Sequence, residues 1–140
     1  MKKEISTGIL IKKIHDNLEK KINKSLKDSD LTMSQMEALV ILSEQVSRQM
    51  SLKALEHELH VAQSTAAGIV SRLEQKGFIE AYGQSDDKRI KNIRITKNGM
   101  KYCESAAKDM DKVEKELLKN LTEDEKNTLN QLLGKIYEYR

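Results

Sequence analysis

The stretch 51–80, SLKALEHELHVAQSTAAGIVSRLEQKGFIE, limits the possible folds more than any other part of the chain. Leu52, Leu55 and Leu59 fall on one face of a short helix that Ser51 is placed to cap. After the break HVA, a second helix runs from Gln63 to Gly77, a residue suited to the left-handed conformation that ends helices. Two short helices about a turn of three or four residues have helix-turn-helix spacing. Phe78, Ile79 and Ala81, then Ile93 and Ile95, suggest two strands with side chains alternating between faces. They are separated by Gly83 to Ile90, a loop too long for a two-residue turn. A helix-turn-helix followed at once by a β-hairpin is a winged helix, whose second helix is shaped to enter a DNA major groove.

Helices flank this unit on both sides. Ile5, Ile9, Leu10, Ile11, Ile14, Leu18, Ile22 and Leu26 recur at spacings of three and four, which predicts an amphipathic helix over 5–27. Thr32 and Gln35 form a capping box that opens a helix in LTMSQMEALVILSE. Thr96 is placed to cap a long helix over about 97–118, and Thr122 with Glu125 opens a last one through Ile136. The complete absence of proline suits long helices joined by short turns. The expected fold is mainly α with a small β-hairpin. Its 140 residues form a single domain, with the winged helix-turn-helix at 32–99 and terminal helices at 1–30 and 100–140.

Composition narrows the function classes. One cysteine, Cys103, excludes an intrachain disulfide and fits a reducing compartment. No apolar run approaches the roughly 20 residues of a membrane span, and the charged start MKKEISTGILIKKIHDN does not read as a signal peptide, so a cytoplasmic location is expected. Four Tyr, one Phe and no Trp are too few for the stacking platforms that bind single-stranded nucleic acid. No phosphate loop, nucleophile elbow or Ser/His/Asp set is evident, so neither an enzyme nor a cofactor is expected. His57 and His60 have i, i+3 spacing without a third ligand nearby, so no metal is expected either.

The face of residues 63–76 that the core does not need points to a partner. At 100° per residue, Ala66, Ile69, Val70 and Leu73 gather on one side. Opposite them are Ser64, Gly68, Ser71 and Gln75, flanked by Thr65, Ala67 and Arg72. That face is small, polar and nearly free of acids, as close approach to a phosphate backbone requires. Packing against another helix would also use small residues, and that alternative stays open. In the hairpin, residues 84–97 hold five basic and two acidic side chains, a local +3 that equals the net charge of the whole chain. An exposed Arg at such a tip fits a narrow A·T-rich minor groove. A solvated hairpin with a chance run of charge is the alternative.

These residues carry a resemblance. Leu31 to Gly99 resembles the multiple-antibiotic-resistance regulator (MarR) family of bacterial transcription factors, through LTMSQMEALVIL, SLKALEHELHVAQSTAAGIVSRLEQKGFIE and SDDKRIKNIRITKNG. The last contains the family's Asp-x-Arg wing signature as Asp87, Lys88 and Arg89, and its strand-Thr-x-x-Gly ending at Thr96 and Gly99. The resemblance implies N- and C-terminal dimerisation helices and a homodimer on a pseudo-palindromic operator. It also implies a ligand-responsive repressor of double-stranded DNA, released by a small anionic or lipophilic effector. It puts Arg89 in the minor-groove role, which makes Gln63, Ser64, Thr65, Ala67, Gly68, Ser71 and Arg72 on the helix and Asp87, Lys88 and Arg89 on the wing the candidate DNA-binding residues. Asp87 cannot meet phosphate favourably and is expected to pair with Arg89 or accept backbone N–H bonds in the loop. His15, Met33, Met36 and Tyr102, together with Met100 and Met110, are the candidates to border an effector pocket, although Met at helical spacing is also a mark of core. The chain departs from the family pattern in opening the reading helix with Ala62 and Gln63, where a Ser-Pro-like cap is common. Cys103 lies after the wing, not in the first helix where the family's peroxide sensors carry their reactive cysteine, so a buried, inert thiol is expected. The competing readings are a winged-helix protein-interaction module and a redox-responsive regulator acting through Cys103.

Overall fold

The computed structural model describes residues 4–82 and 91–138. Helix α1 (Thr7–Ser25) starts at Ser6, whose hydroxyl accepts the Ile9 N–H at 3.3 Å. A 3-10 turn, Lys27–Ser29, and Asp30 in the left-handed region (φ 56°) then reverse the chain. Helix α2 (Met33–Glu44) follows, with both bonds of its capping box formed: Gln35 N–H to Thr32 Oγ1 at 3.3 Å and Thr32 N–H to Gln35 Oε1 at 3.1 Å. Next come β1 (Gln49–Ser51), α3 (Leu52–Leu59), α4 (Gln63–Gln75), β2 (Ile79–Ala81) and β3 (Asn92–Ile95). Helices α5 (Lys97–Leu117) and α6 (Glu123–Glu138) close the chain.

The sheet is larger than the hairpin read from sequence. Its strand order is β1–β3–β2, antiparallel throughout, with Gln49 opposite Arg94 and Ile79 opposite Ile95. β3 is therefore the central strand, and it alternates as a half-buried strand should, with Ile93 and Ile95 inside and Arg94 outside. The three residues of β1 are too short to show a period. They become a strand because β3 offers them a ladder, which the Leu52 N–H extends by donating to the Lys91 carbonyl at 2.8 Å.

Leu39 and Leu42 of α2, Leu55 of α3, Leu73 of α4 and Ile93 of β3 are completely buried together. Each such side chain contributes about 1.5–3 kcal/mol through removal from water. By contrast, α1 and α6 bury no side chain fully, and Ile9, Ile14 and Ile136 remain half exposed. The core of this chain is thus the winged unit with part of α5, and the terminal helices carry apolar faces that the chain itself does not cover.

One junction holds the reading helix, the sheet and α5 together. Helix α4 ends with the Phe78 N–H donating to the Leu73 carbonyl and the Gly77 N–H to the Glu74 carbonyl, both at 3.0 Å, with Gly77 at φ 76°. That pair of bonds is a Schellman motif. Thr96 donates its hydroxyl to the Gly77 carbonyl at 2.6 Å and its N–H to the Phe78 carbonyl at 3.0 Å. The same hydroxyl caps α5 by accepting the Gly99 N–H at 3.1 Å. Gly99 must lack a side chain here, because a Cβ would overlap the Phe78 carbonyl oxygen and lie 2.6 Å from Ile95 Cγ1. Gly99→Ala is expected to cost about 1–3 kcal/mol by overpacking. Urea unfolding should show the midpoint falling with an unchanged slope.

Candidate nucleic-acid interface

The turn before α4 is built by His60, which takes the left-handed conformation at φ 55° while the Val61 N–H donates back to the Glu56 carbonyl at 3.4 Å. This reversal sets α4 across α3. Ala66, Ile69, Val70 and Leu73 are all buried, so the inward face is the one that the helical period selects. Gln63, Ser64, Thr65, Ala67, Gly68 and Ser71 are all exposed, side by side on the outer face. The small residues of α4 therefore do not pack against another helix of this chain. The Ala62 N-cap makes no side-chain bond, and packing of the inner face stabilises the helix instead. Among the described residues nothing lies within 4 Å of where a Gly68 Cβ would stand, so none of them forces glycine there.

Three ion pairs frame this face, and none has a signature in the local sequence. Arg72, at the edge of α4, pairs with Asp30 in the turn between α1 and α2. Lys91, at the base of the wing, reaches Glu74 of α4 at 2.6 Å. Arg94 pairs with Glu80 at 2.7 Å across the sheet and lies over the Tyr82 ring, 4.6 Å from its centre. Among the described basic residues of the wing segment, Lys91 and Arg94 thus already have carboxylate partners. Both pairs are substantially exposed, so each contributes little to stability and keeps its cation near the surface. Asp87, Lys88 and Arg89 lie outside the described residues.

A cavity of about 450 Å³ opens between α1, α2 and α5. Leu18 and Ile22 line it from α1, Met36 and Val40 from α2, and Cys103 and Met110 from α5, with Asp111 and Glu114 also contributing. Met36 is thus in its wall, whereas His15, Met33 and Tyr102 are not. His15 lies exposed on α1, 3.7 Å from both Asp16 and Glu19. Met33 is half-buried, its N–H donating to Asn23 Oδ1 at 2.7 Å. Tyr102 stacks on Phe78 with ring centres 4.9 Å apart, and burial raises its hydroxyl above the usual tyrosine range. Cys103 is buried as expected; burial first, and the Glu104 charge second, push its thiol up, which keeps it protonated and slow to react. Leu18 and Ile22 were read from sequence only as part of an amphipathic stripe. Periodicity finds such a stripe but does not show which part of it is left unfilled.

An exposed small-residue helix presented by a helix-turn-helix, beside a three-stranded wing, defines the winged-helix class of nucleic-acid-binding proteins. Comparison with known proteins gives the family. The MarR family model matches residues 31–91. The multiple antibiotic resistance protein MarR of Salmonella typhimurium is 31% identical over 133 residues, covering 94% of this chain and 91% of the relative. The crystal structure of apo MarR from E. coli superposes with a TM-score of 0.81 at 28% identity, covering 96% and 98% of the two chains. The S. aureus MepR–DNA complex gives 0.84 at 25% identity, covering 98% and 100%. The chain belongs to the MarR family of helix-turn-helix transcriptional regulators.

If packing of its inner face holds α4 in place, stability should depend on that face and hardly on the ion pairs. Leu73→Ala is expected to cost about 2–5 kcal/mol. Asp30→Asn, which keeps a residue suited to the left-handed turn, and Arg72→Ala should each stay within about 1 kcal/mol of the parent. Chemical denaturation of the three variants checks this.

Proposed function

We propose that this protein is a homodimeric, ligand-responsive repressor that binds a pseudo-palindromic operator in double-stranded DNA. The observation that carries the reading is the outer face of α4: six adjacent exposed positions, Gln63, Ser64, Thr65, Ala67, Gly68 and Ser71, with no carboxylate among them. Such a face lies against a phosphate backbone without steric or electrostatic cost. Arg72 at its edge supplies a cation, and Arg89 on the wing reaches the minor groove with Asp87 as its brace. Residues 32–99 form the DNA-reading unit, and 1–30 with 100–140 form the dimerisation helices.

The half-exposed Ile9, Ile14 and Ile136 support the assembly role, since burying such stripes against a second copy removes them from water. A two-fold dimer places its recognition helices about 34 Å apart, one turn of DNA. The protein acts by binding and not by catalysis, as the relatives named as transcriptional regulators do. It works in the cytoplasm; no described helix is long and apolar enough to cross a membrane. The cavity between α1, α2 and α5 is the place for a small lipophilic effector, because it lies where the terminal helices meet the reading unit.

Band retardation on duplex DNA carrying the protein's own promoter, at several salt concentrations, tests the reading. Absence of retardation at low salt in a folded dimer would sink it. Gly68→Ala separates folding from binding by sign: it should stabilise the helix by up to about 1 kcal/mol while weakening DNA binding. Arg89→Ala should lower affinity and reduce the salt slope by about 1 without unfolding the protein. Ile136→Glu should shift sedimentation from dimer toward monomer and weaken operator binding with it.

A further inference from the structure

Resting on the reading of the cavity as the effector site, we propose that it selects lipophilic cations over lipophilic anions. An anion leaving water needs a cationic side chain or converging N–H donors to replace its hydration. Among the described residues the lining contains no Lys, Arg or His, and its charged members are Asp111 and Glu114. Asp111 is shared with Lys115 at 3.0 Å, while Glu114 makes no ion pair among the described residues. Glu114 is therefore the side chain with charge to offer, and it sits at an exposed position of α5 where it stays hydrated when the cavity is empty.

The rest of the lining rejects a compact cation. Leu18, Ile22, Val40 and Val113 present hydrocarbon, which a strongly hydrated primary ammonium would leave unfilled. Met36 and Met110 add polarisable thioethers on flexible stems, which mould to a bulky ligand. Cys103 contributes a neutral thiol, since burial holds it protonated. A quaternary or delocalised cation with an aromatic or alkyl body satisfies both conditions: its body fills the apolar wall and its charge faces the α5 carboxylates at the mouth.

Tetraphenylphosphonium and tetraphenylborate, close in shape and opposite in charge, provide the test. Each is titrated calorimetrically into the full-length protein. The cation should bind about tenfold more tightly than the anion, with the preference shrinking as salt rises. In the double variant Glu114→Gln, Asp111→Asn that preference should vanish. Equal or tighter binding of the anion, or a preference untouched by the double variant, would overturn the proposal. Binding of neither probe would also overturn it, showing that the partner copy or the protein itself fills the space. Duplex retardation without any probe, on the same preparations, keeps the two readings apart. Retained retardation with no cation preference removes only the ligand assignment, and lost retardation with the preference intact removes only the DNA-binding reading.

Discussion

The contact around Thr96 organises the molecule. Its hydroxyl donates to the carbonyl that ends α4 and accepts the N–H that begins α5, while its own N–H returns to Phe78. A single side chain thus caps the start of α5 and fastens it to the glycine turn that follows α4. The cost of such proximity is that Gly99 can carry no Cβ. Shift this junction and the reading helix, the wing and the long helix toward the terminus all change position together. The hydrogen bonds explain why a Thr and a Gly three residues apart belong at the end of a wing strand.

Much of this was legible in the sequence because the signals are local. The burial of Ala66, Ile69, Val70 and Leu73 follows from a 3.6-residue period, and the two capping boxes follow from Thr-x-x-Gln and Thr-x-x-Glu. Gly77 was readable as a helix stop because few other residues adopt its backbone angles cheaply. What escaped was tertiary. Strand β1 has no period of its own and exists through β3. The Arg72–Asp30 pair joins residues 42 positions apart, and Lys91–Glu74 joins residues 17 apart. The cavity depends on how three helices fail to fill the space between them, and an apolar stripe does not reveal that.

Charge in this fold is arranged more sparingly than the raw count suggests. The wing segment carries most of the excess basic charge, yet Lys91 and Arg94 sit beside carboxylates on neighbouring elements. These surface pairs are weak, so breaking either one costs little folding energy. Arg94, stacked on Tyr82 as well, has its guanidinium plane fixed in advance, which lowers the entropy lost when a planar group must meet a partner in one orientation.

The bond from Leu52 to Lys91 has a mechanical meaning. It ties the first residue of α3 to the entrance of β3, as Lys91 and Glu74 tie that same entrance to α4. The start of β3 is thus joined to both helices of the pair through one residue. A displacement of that residue is therefore passed to α3 and α4 at once, where a strand anchored to a single helix would pass it to one.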